Sequence, residues 1–135
     1  MIIDSSALLA ILLDEAERRD FVDTIATARS PRMSAASYVE VGLKLDRIET
    51  GLDRAVDAII DTLGIEIVAF DRVQAREARE AAMRFGRGTP AKLNFGDCLV
   101  YGLAKATGAP LLFKGNDFGQ TDVASATAQS RKIDQ

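Results

Sequence analysis

Four carboxylates stand in surroundings where an ordinary solvated acid is unusual: Asp4, Glu40, Asp97 and Asp117. Asp4 directly follows three apolar residues, Glu40 interrupts a largely apolar run, and Asp97 is the only charge in a run of twelve residues. Asp117 is separated from another apolar run by Lys-Gly-Asn. Two carboxylates about 5 Å apart repel by roughly 3 kcal/mol at an effective dielectric near 20. If these acids meet in the fold, a divalent cation would remove that cost.

The other reactive side chains narrow the chemistry further. The chain of 135 residues has no histidine and a single cysteine, Cys98. The sequence therefore excludes the Ser-His-Asp triad, the Cys-His dyad and the usual zinc sites, as well as an internal disulfide. Oxygen ligands suit hard cations, so the predicted cofactor is Mg²⁺ or Mn²⁺. Such ions at carboxylates are typical of phosphodiester hydrolysis.

Basic residues surround two of these acids. The net charge is −3, yet residues 81–117 carry five basic side chains against two acidic ones. A positive rim of this kind attracts an anionic ligand, although a chance asymmetry of charge would look the same. The candidates for contacts with a nucleic-acid backbone are Arg84, Arg87 and Lys92.

Alternating apolar segments and stop signals predict the elements that position these residues. Strands are expected over residues 1–4, 65–69 and 110–113, with a short extended piece at 31–34 and a last edge strand at 122–126. Helices are expected over residues 7–13, with Ser6 as cap, and over 16–29, 52–63 and 94–107. Ser34 and Asp71 cap two further helices that run to about residues 50 and 85, and Gly51, Gly64 and Gly108 stop helices.

Strands separated by helices predict an α/β fold with a mainly parallel sheet. Ligands of such sheets bind beyond the carboxyl ends of the strands. Three of the four acids lie near strand ends or helix starts that open on that edge, and Glu40 can reach it from its helix. The length indicates a single domain over residues 1–135, and no targeting or membrane-spanning segment is visible, so we expect a cytoplasmic protein.

Each acid also has a simpler explanation. Asp4 could cap a helix, although Ser6 competes for that position, and Glu40 could pair with Lys44 one turn later. Asp97 could interact with a helix dipole, and Asp117 could belong to an ordinary turn. Among the uncharged candidates, Cys98 is expected in the core, as are Phe85 and Phe95, although both phenylalanines could stack on bases.

Four segments together resemble the PIN-domain ribonucleases, and more narrowly the VapC toxins of bacterial toxin–antitoxin pairs. They read Met-Ile-Ile-Asp-Ser-Ser-Ala-Leu-Leu at 1–9, Ser-Tyr-Val-Glu at 37–40, Leu-Asn-Phe-Gly-Asp-Cys-Leu-Val-Tyr-Gly-Leu-Ala-Lys at 93–105 and Pro-Leu-Leu-Phe-Lys-Gly-Asn-Asp-Phe at 110–118. The resemblance runs from Met1 to about Val123, and the segment around Asp97 is its most specific part.

The resemblance implies a three-layer α/β/α fold and an endoribonuclease that depends on Mg²⁺ or Mn²⁺. It also implies a homodimer and a VapB-type antitoxin as partner. The acidic positions of the family match Asp4, Glu40, Asp97 and Asp117, with Ser6 and Asn94 in supporting places. Structured RNA, with tRNA as a candidate, is the substrate we expect.

The chain departs from the family at two positions. Many relatives carry Thr after the last strand and another acid shortly before the final Asp-Phe, where this chain has Phe113 and Gly115. We therefore expect one firmly held ion, chiefly on Asp4 and Asp97, and a second ion that needs substrate.

Two other functions remain open at this point. A phosphatase or phosphoacceptor also places an aspartate after a parallel strand, but the phosphatase type needs a second aspartate where this chain has Ser6. A catalytically silent PIN-like module would bind RNA or protein without cleaving.

Overall fold

The computed structural model describes residues 1–49 and 51–127. Four short strands alternate with six helices along the chain. The strands are β1 (Ile2–Ile3), β2 (Arg32–Ser34), β3 (Glu66–Val68) and β4 (Leu111–Leu112). The helices are α1 (Ser5–Leu12), α2 (Arg18–Thr27), α3 (Ala35–Asp46), α4 (Asp53–Leu63), α5 (Arg72–Phe85) and α6 (Phe95–Thr107). A short 3₁₀ turn follows at Phe118–Gln120. None of the described helices is both long and apolar enough to span a membrane.

The sheet has the order β3-β2-β1-β4, and every neighbouring pair is parallel. Ile2 pairs with Arg32 on one side and with Leu111 on the other, so β1 lies inside the sheet. The predicted parallel sheet is therefore confirmed. Parallel alignment brings the residues that follow β1, β2 and β4 to the same edge.

The sheet separates two hydrophobic clusters, because successive side chains of a strand point to opposite faces. Ile3 and Leu112 pack against buried residues of α1, α2, α3 and α4. Ile2 and Leu111 pack on the other face against buried residues of α5 and α6. This arrangement is the predicted three-layer α/β/α architecture.

The cap of the first helix differs from our prediction. Asp4, and not Ser6, is the N-cap of α1, and its carboxylate accepts a hydrogen bond from the Ser6 backbone N–H at 3.0 Å. The reason is local, since β1 ends at Ile3 and leaves Asp4 in an extended conformation that aims its carboxylate at the first turn.

Several element boundaries also differ. Helix α2 begins at Arg18 rather than residue 16, and α3 ends at Asp46, where the N–H groups of Ile48 and Glu49 both bond to the Leu45 carbonyl. The predicted end at Thr50 lies outside the described residues. The predicted edge strand at 122–126 is reduced to one parallel bridge between Leu111 and Ser125. The stops at Gly64 and Gly108 are confirmed, both with left-handed backbone.

The two candidate core phenylalanines have different surroundings. Phe85 packs in the cluster beneath α5 and α6, with its ring centroid 5.8 Å from that of Tyr101. Cys98 is buried in the same cluster. Phe95 is 81% exposed, so its prediction as a core residue is wrong. As the first residue of α6, its side chain projects beyond the end of the helix packing.

Helices α5 and α6 approach closely at Gly102. A Cβ atom at this position would overlap the backbone carbonyl of Gln74 and touch Ala78, both on α5. Gly42, in the middle of α3, has open space where a Cβ would go. The two helical glycines therefore differ in the proximity of a neighbouring backbone.

We expect Gly102→Ala to destabilise the fold by about 1–3 kcal/mol, because α5 and α6 must move apart to admit the methyl group. Gly42→Ala should stabilise it by about 0.5–1 kcal/mol through helix propensity alone. Urea unfolding of both variants checks the pair. Equal stabilities would contradict the close packing of α5 and α6.

Candidate functional site

Asp4 is fixed at the sheet edge by groups from two segments. The Ser6 hydroxyl donates to Asp4 Oδ2 at 2.5 Å and accepts a hydrogen bond from the Lys114 backbone N–H at 2.9 Å. Ser6 therefore connects the end of β1 to the loop after β4. Asp4 is buried, and this burial raises the pKa of its carboxyl group, an effect that the Ser6 hydrogen bonds oppose and the Glu40 charge increases.

Glu40 reaches the same region from α3. The Ser5 hydroxyl donates a hydrogen bond to Glu40 Oε1, and the Lys44 ammonium lies 3.9 Å from the same oxygen. The simple pairing with Lys44 is thus present, but it does not account for the contact with Ser5 at the start of α1. The Glu40 side chain therefore extends from α3 to the first turn of α1 and lies against Gly96 of α6.

Gly96 explains how Glu40 comes so close to α6. A Cβ atom on Gly96 would overlap Glu40 Oε2. Sequence reasoning missed both Gly96 and the buried Ser5 as parts of this site. A glycine in the first turn of a helix was the available signal, because it weakens the helix unless another group needs the space.

Asp97 lies in the first turn of α6 and forms a capping box with Asn94. The Asn94 side chain accepts from the Asp97 N–H at 2.8 Å, while Asp97 Oδ2 accepts from the Asn94 N–H at 3.1 Å. This reciprocal pair satisfies two N–H groups at the start of the helix. Asn94 therefore fixes the orientation of the Asp97 side chain at the start of α6.

The charges around Asp97 show that the four acids share one neighbourhood. Desolvation by burial and the charges of Asp4, Asp117 and Glu40 raise the pKa of Asp97 to about 6, although the Asn94 hydrogen bond opposes the shift. Asp117 itself is exposed and precedes the 3₁₀ turn without capping it by a side-chain hydrogen bond. Asp97 does lie in the first turn of α6, where the helix dipole favours a carboxylate, but that effect alone would lower its pKa and not raise it.

The arrangement has the donor chemistry of a hard-cation site without forming a closed cage. Within residues 1–49 and 51–127, no group of three or more carboxylate or thiolate side chains is placed so that it could hold a metal ion. Mg²⁺ does not require one, since it usually keeps several waters and binds through one or two carboxylates and the substrate phosphate. Of the two Asp97 carboxylate oxygens, Oδ2 accepts the Asn94 hydrogen bond, and Oδ1 accepts none from the described residues. Oδ1 is therefore available as a metal ligand.

The basic residues around this edge are not equivalent. Arg84 lies 3.6 Å from the Asp122 carboxylate, and its guanidinium stacks over the Phe85 ring. Lys114 pairs with Glu15 and lies 3.2 Å from Glu17. Arg87 and Lys92 are exposed, and neither pairs with a carboxylate of the described residues.

The raised pKa of Asp97 predicts a stability that depends on pH. Its folded value of about 6 lies above the ordinary value of 3.8, so the stabilisation from the protonated form is complete below pH 3.8 and is lost as the pH rises through 6. In EDTA we expect Asp97→Asn to raise the Tm by about 3 °C at pH 7.5, and by less at pH 4.

Differential scanning fluorimetry at both pH values measures this effect. Asp23→Asn, an exposed acid on α2, controls for the loss of one negative charge. Added Mg²⁺ should raise the Tm of the unsubstituted protein and not that of Asp97→Asn. A variant that is less stable at pH 7.5 in EDTA would contradict the repulsion.

Comparisons with known proteins agree with this fold. The family model of the PIN domain matches residues 1–124. Ribonuclease VapC28 of Mycobacterium tuberculosis is 47% identical over 129 residues, which cover 93% of this chain and 97% of that protein. Ribonuclease VapC30 of the same species is 42% identical over 127 residues, covering 93% and 97% of the two chains.

Two solved structures share the architecture at low sequence identity. The crystal structure of Mycobacterium tuberculosis VapC20, described as a sarcin-ricin loop cleaving toxin, has a TM-score of 0.75 at 15% identity and covers 93% of this chain and 98% of its own. A toxin–antitoxin complex from Klebsiella pneumoniae has a TM-score of 0.68 at 14% identity and covers 87% and 88%. These two structures share the fold alone. The family model and the sequence relatives show that the chain belongs to the PIN-domain family, among the VapC ribonucleases.

Proposed function

We propose that this protein is a metal-dependent endoribonuclease that acts as the toxin of a toxin–antitoxin pair. The observation that carries the proposal is the electrostatic coupling of Asp97 to Asp4, Asp117 and Glu40. The four acids come from four different segments of the chain. Like charges in a folded protein are retained at such a place when a ligand neutralises them. The ribonuclease names of the relatives support RNA as the substrate.

Mg²⁺ or Mn²⁺ fits this set of oxygen donors. Asp4 and Asp97 would hold the first ion, with Glu40 and Asp117 completing the acidic cluster. When bound, the ion supplies the positive charge that activates a water and stabilises the leaving oxygen of a phosphodiester. A second ion would need oxygens of the substrate, because Phe113 and Gly115 stand where many relatives have further ligands.

The chain's own residues orient the reaction. The Ser6 hydroxyl donates to one oxygen of Asp4, and the Asn94 N–H donates to one oxygen of Asp97. Both carboxylates therefore keep a defined orientation. Glu40, kept in place by Ser5, lies where it can orient the attacking water or the ion. Arg87 and Lys92, which pair with no carboxylate of the described residues, are proposed to contact the RNA backbone.

Structured cellular RNA is the proposed substrate, with tRNA as one candidate. VapC20, which shares the fold, is described as cleaving the sarcin-ricin loop, so a ribosomal RNA loop is a second candidate. Both substrates present unpaired bases, which proteins recognise in RNA. Such substrates would place the activity in the cytoplasm.

A VapB-type antitoxin and a second copy of the chain are the proposed protein partners. The toxin–antitoxin complex among the structural neighbours supports the first. The surface of α3 offers apolar area for such contacts, since Val39 and Leu43 are more than half exposed one helical turn apart.

The proposed function predicts cleavage that needs both metal and Asp97. Purified protein, freed of any bound partner, should cut total cellular RNA into discrete fragments in Mg²⁺ or Mn²⁺ and leave it intact in EDTA. We expect Asp97→Asn to lower the cleavage rate at least about 100-fold, because a ligand of the proposed ion is lost. Gel analysis of the fragments measures the rate, with Asp23→Asn as the matched control.

The alternatives give different results in the same assay. Binding of RNA without cleavage in either metal would indicate a silent PIN-like module. Hydrolysis of a small phosphoester without cleavage of RNA would indicate a phosphatase. Fragments that persist in EDTA would contradict the role of the metal.

The basic residues predict a specific dependence on salt. Arg87→Ala and Lys92→Ala should each reduce the slope of log K against log [salt] by about one, because each removes one phosphate contact. Arg84→Ala should reduce it less, since Asp122 already neutralises part of that charge. Fluorescence anisotropy with labelled RNA measures the slopes, and Arg54→Ala on α4 is the control. Unchanged slopes in all three variants would place the RNA on another face.

A further inference from the structure

Phe95 is the most exposed aromatic side chain beside the candidate site. It is 81% exposed, although it is the first residue of α6 and lies two residues before Asp97. A large apolar ring in solvent at this place contributes nothing to the core. Phe85, the other aromatic near this loop, is packed against Tyr101 and is not available to a ligand.

Phe95 forms one wall of an apolar groove between α5 and α6, which we call the interhelical groove. The groove encloses about 630 Å³, within the range of small-molecule pockets. Its apolar lining comes from both helices and the loop between them: Ala75, Ala78, Ala82, Leu93, Cys98 and Leu99. Phe70, which is 37% exposed, adds a second aromatic ring to the lining.

The charges of the interhelical groove indicate an anionic occupant. Arg79 and Arg87 line it, and no acidic residue does. Both arginines are exposed, and neither forms an ion pair with any residue that the structure describes. An apolar groove with aromatic rings and free guanidinium groups suits a ligand that combines flat rings with negative charge, as a nucleotide does.

Asn94 connects the groove to the carboxylate cluster. Asn94 lines the groove and, through its capping box, fixes the side chain of Asp97. A nucleotide chain whose phosphate lies at Asp97 would therefore have a neighbouring base within reach of Phe95.

We propose that the interhelical groove binds an unpaired base of the RNA substrate next to the scissile phosphate, with Phe95 as the stacking residue. The inference rests on the proposed ribonuclease function and adds the requirement for an unstacked nucleotide. Arg79 and Arg87 contact the flanking phosphates. A base within a duplex cannot enter the groove, so cleavage is directed to loops and other single-stranded positions.

The absence of tryptophan from the chain gives a direct test of stacking. Phe95→Trp introduces a single tryptophan at the groove, which can be excited selectively over the two tyrosines. Met83→Trp introduces one at a matched exposure of 82% on α5, outside the groove lining. Both are made with Asp97→Asn to prevent cleavage. We expect a single-stranded hexamer of adenylate to quench the fluorescence of Phe95→Trp and not that of Met83→Trp. A hexamer of abasic ribose phosphate, with the same charge, should quench neither.

Affinity measurements separate base stacking from nonspecific binding. We expect Phe95→Ala and Phe95→Leu to weaken binding of the adenylate hexamer about 5- to 100-fold and Phe95→Tyr to retain it, because stacking needs an aromatic face. Binding of the abasic hexamer should be equal in all three. Their Tm should match that of the unsubstituted protein, since Phe95 is exposed.

The results distinguish failure of this inference from failure of the proposed function. Unchanged hexamer affinity in Phe95→Ala, with RNA cleavage by the unsubstituted protein, would overturn the base site alone. If the adenylate hexamer quenches Phe95→Trp but the unsubstituted protein cleaves no RNA, the base site would be supported and the proposed nuclease function would be overturned. A Phe95→Ala variant that changes only its oligomeric state in sedimentation would make the groove a protein interface and overturn the inference.

Discussion

Repulsion among the carboxylates at one edge of the parallel sheet is the constraint that organises this molecule. Parallel strands bring the chain after β1, β2 and β4 to a common edge, and α6 adds Asp97 beside them. The fold tolerates these charges through local donors, since Ser6, Ser5 and the Asn94 N–H each donate to one carboxylate. These donors orient the acids but do not neutralise them, and, after desolvation by burial, the charges of Asp4, Asp117 and Glu40 also raise the pKa of Asp97. The unneutralised charge is what makes a cation the natural ligand of this edge.

Helix α6 connects the packing of the protein to its chemistry. Its glycines admit two neighbours, the α5 backbone at Gly102 and the Glu40 side chain at Gly96. Farther along, the Tyr101 hydroxyl donates to Asp122 at 2.7 Å and the Lys105 ammonium lies 3.1 Å from the same carboxylate, which ties α6 to the chain after the 3₁₀ turn. A helix fixed at both ends and along one face gives Asp97 a defined position. This rigidity is what an oriented carboxylate needs.

The positive surface is narrower than the charge count of residues 81–117 indicates. Arg84 and Lys105 are engaged by Asp122, and Lys114 is engaged by two glutamates after α1. Arg87 and Lys92 in that segment pair with no carboxylate that the structure describes, and α5 adds Arg79 at the interhelical groove. The surface that can attract RNA therefore lies beside Phe95 and the start of α6. Positive charge and an exposed ring are combined on one side of the acids.

The sequence by itself determined the fold class and the candidate acids, because alternating strands and helices require a parallel sheet and acids in apolar runs are conspicuous. It also located the caps at Ser34 and Asp71 and the stops at Gly64 and Gly108, since these depend on local backbone geometry. Only the tertiary structure decided that Gly96 admits Glu40 and that Phe95 is exposed. Each of these depends on which distant segment fills the space around a residue, and neither composition nor periodicity carries that information. Phe85 and Phe95 show the difference: they flank the same loop, but Phe85 packs against the Tyr101 ring, whereas Phe95 is exposed.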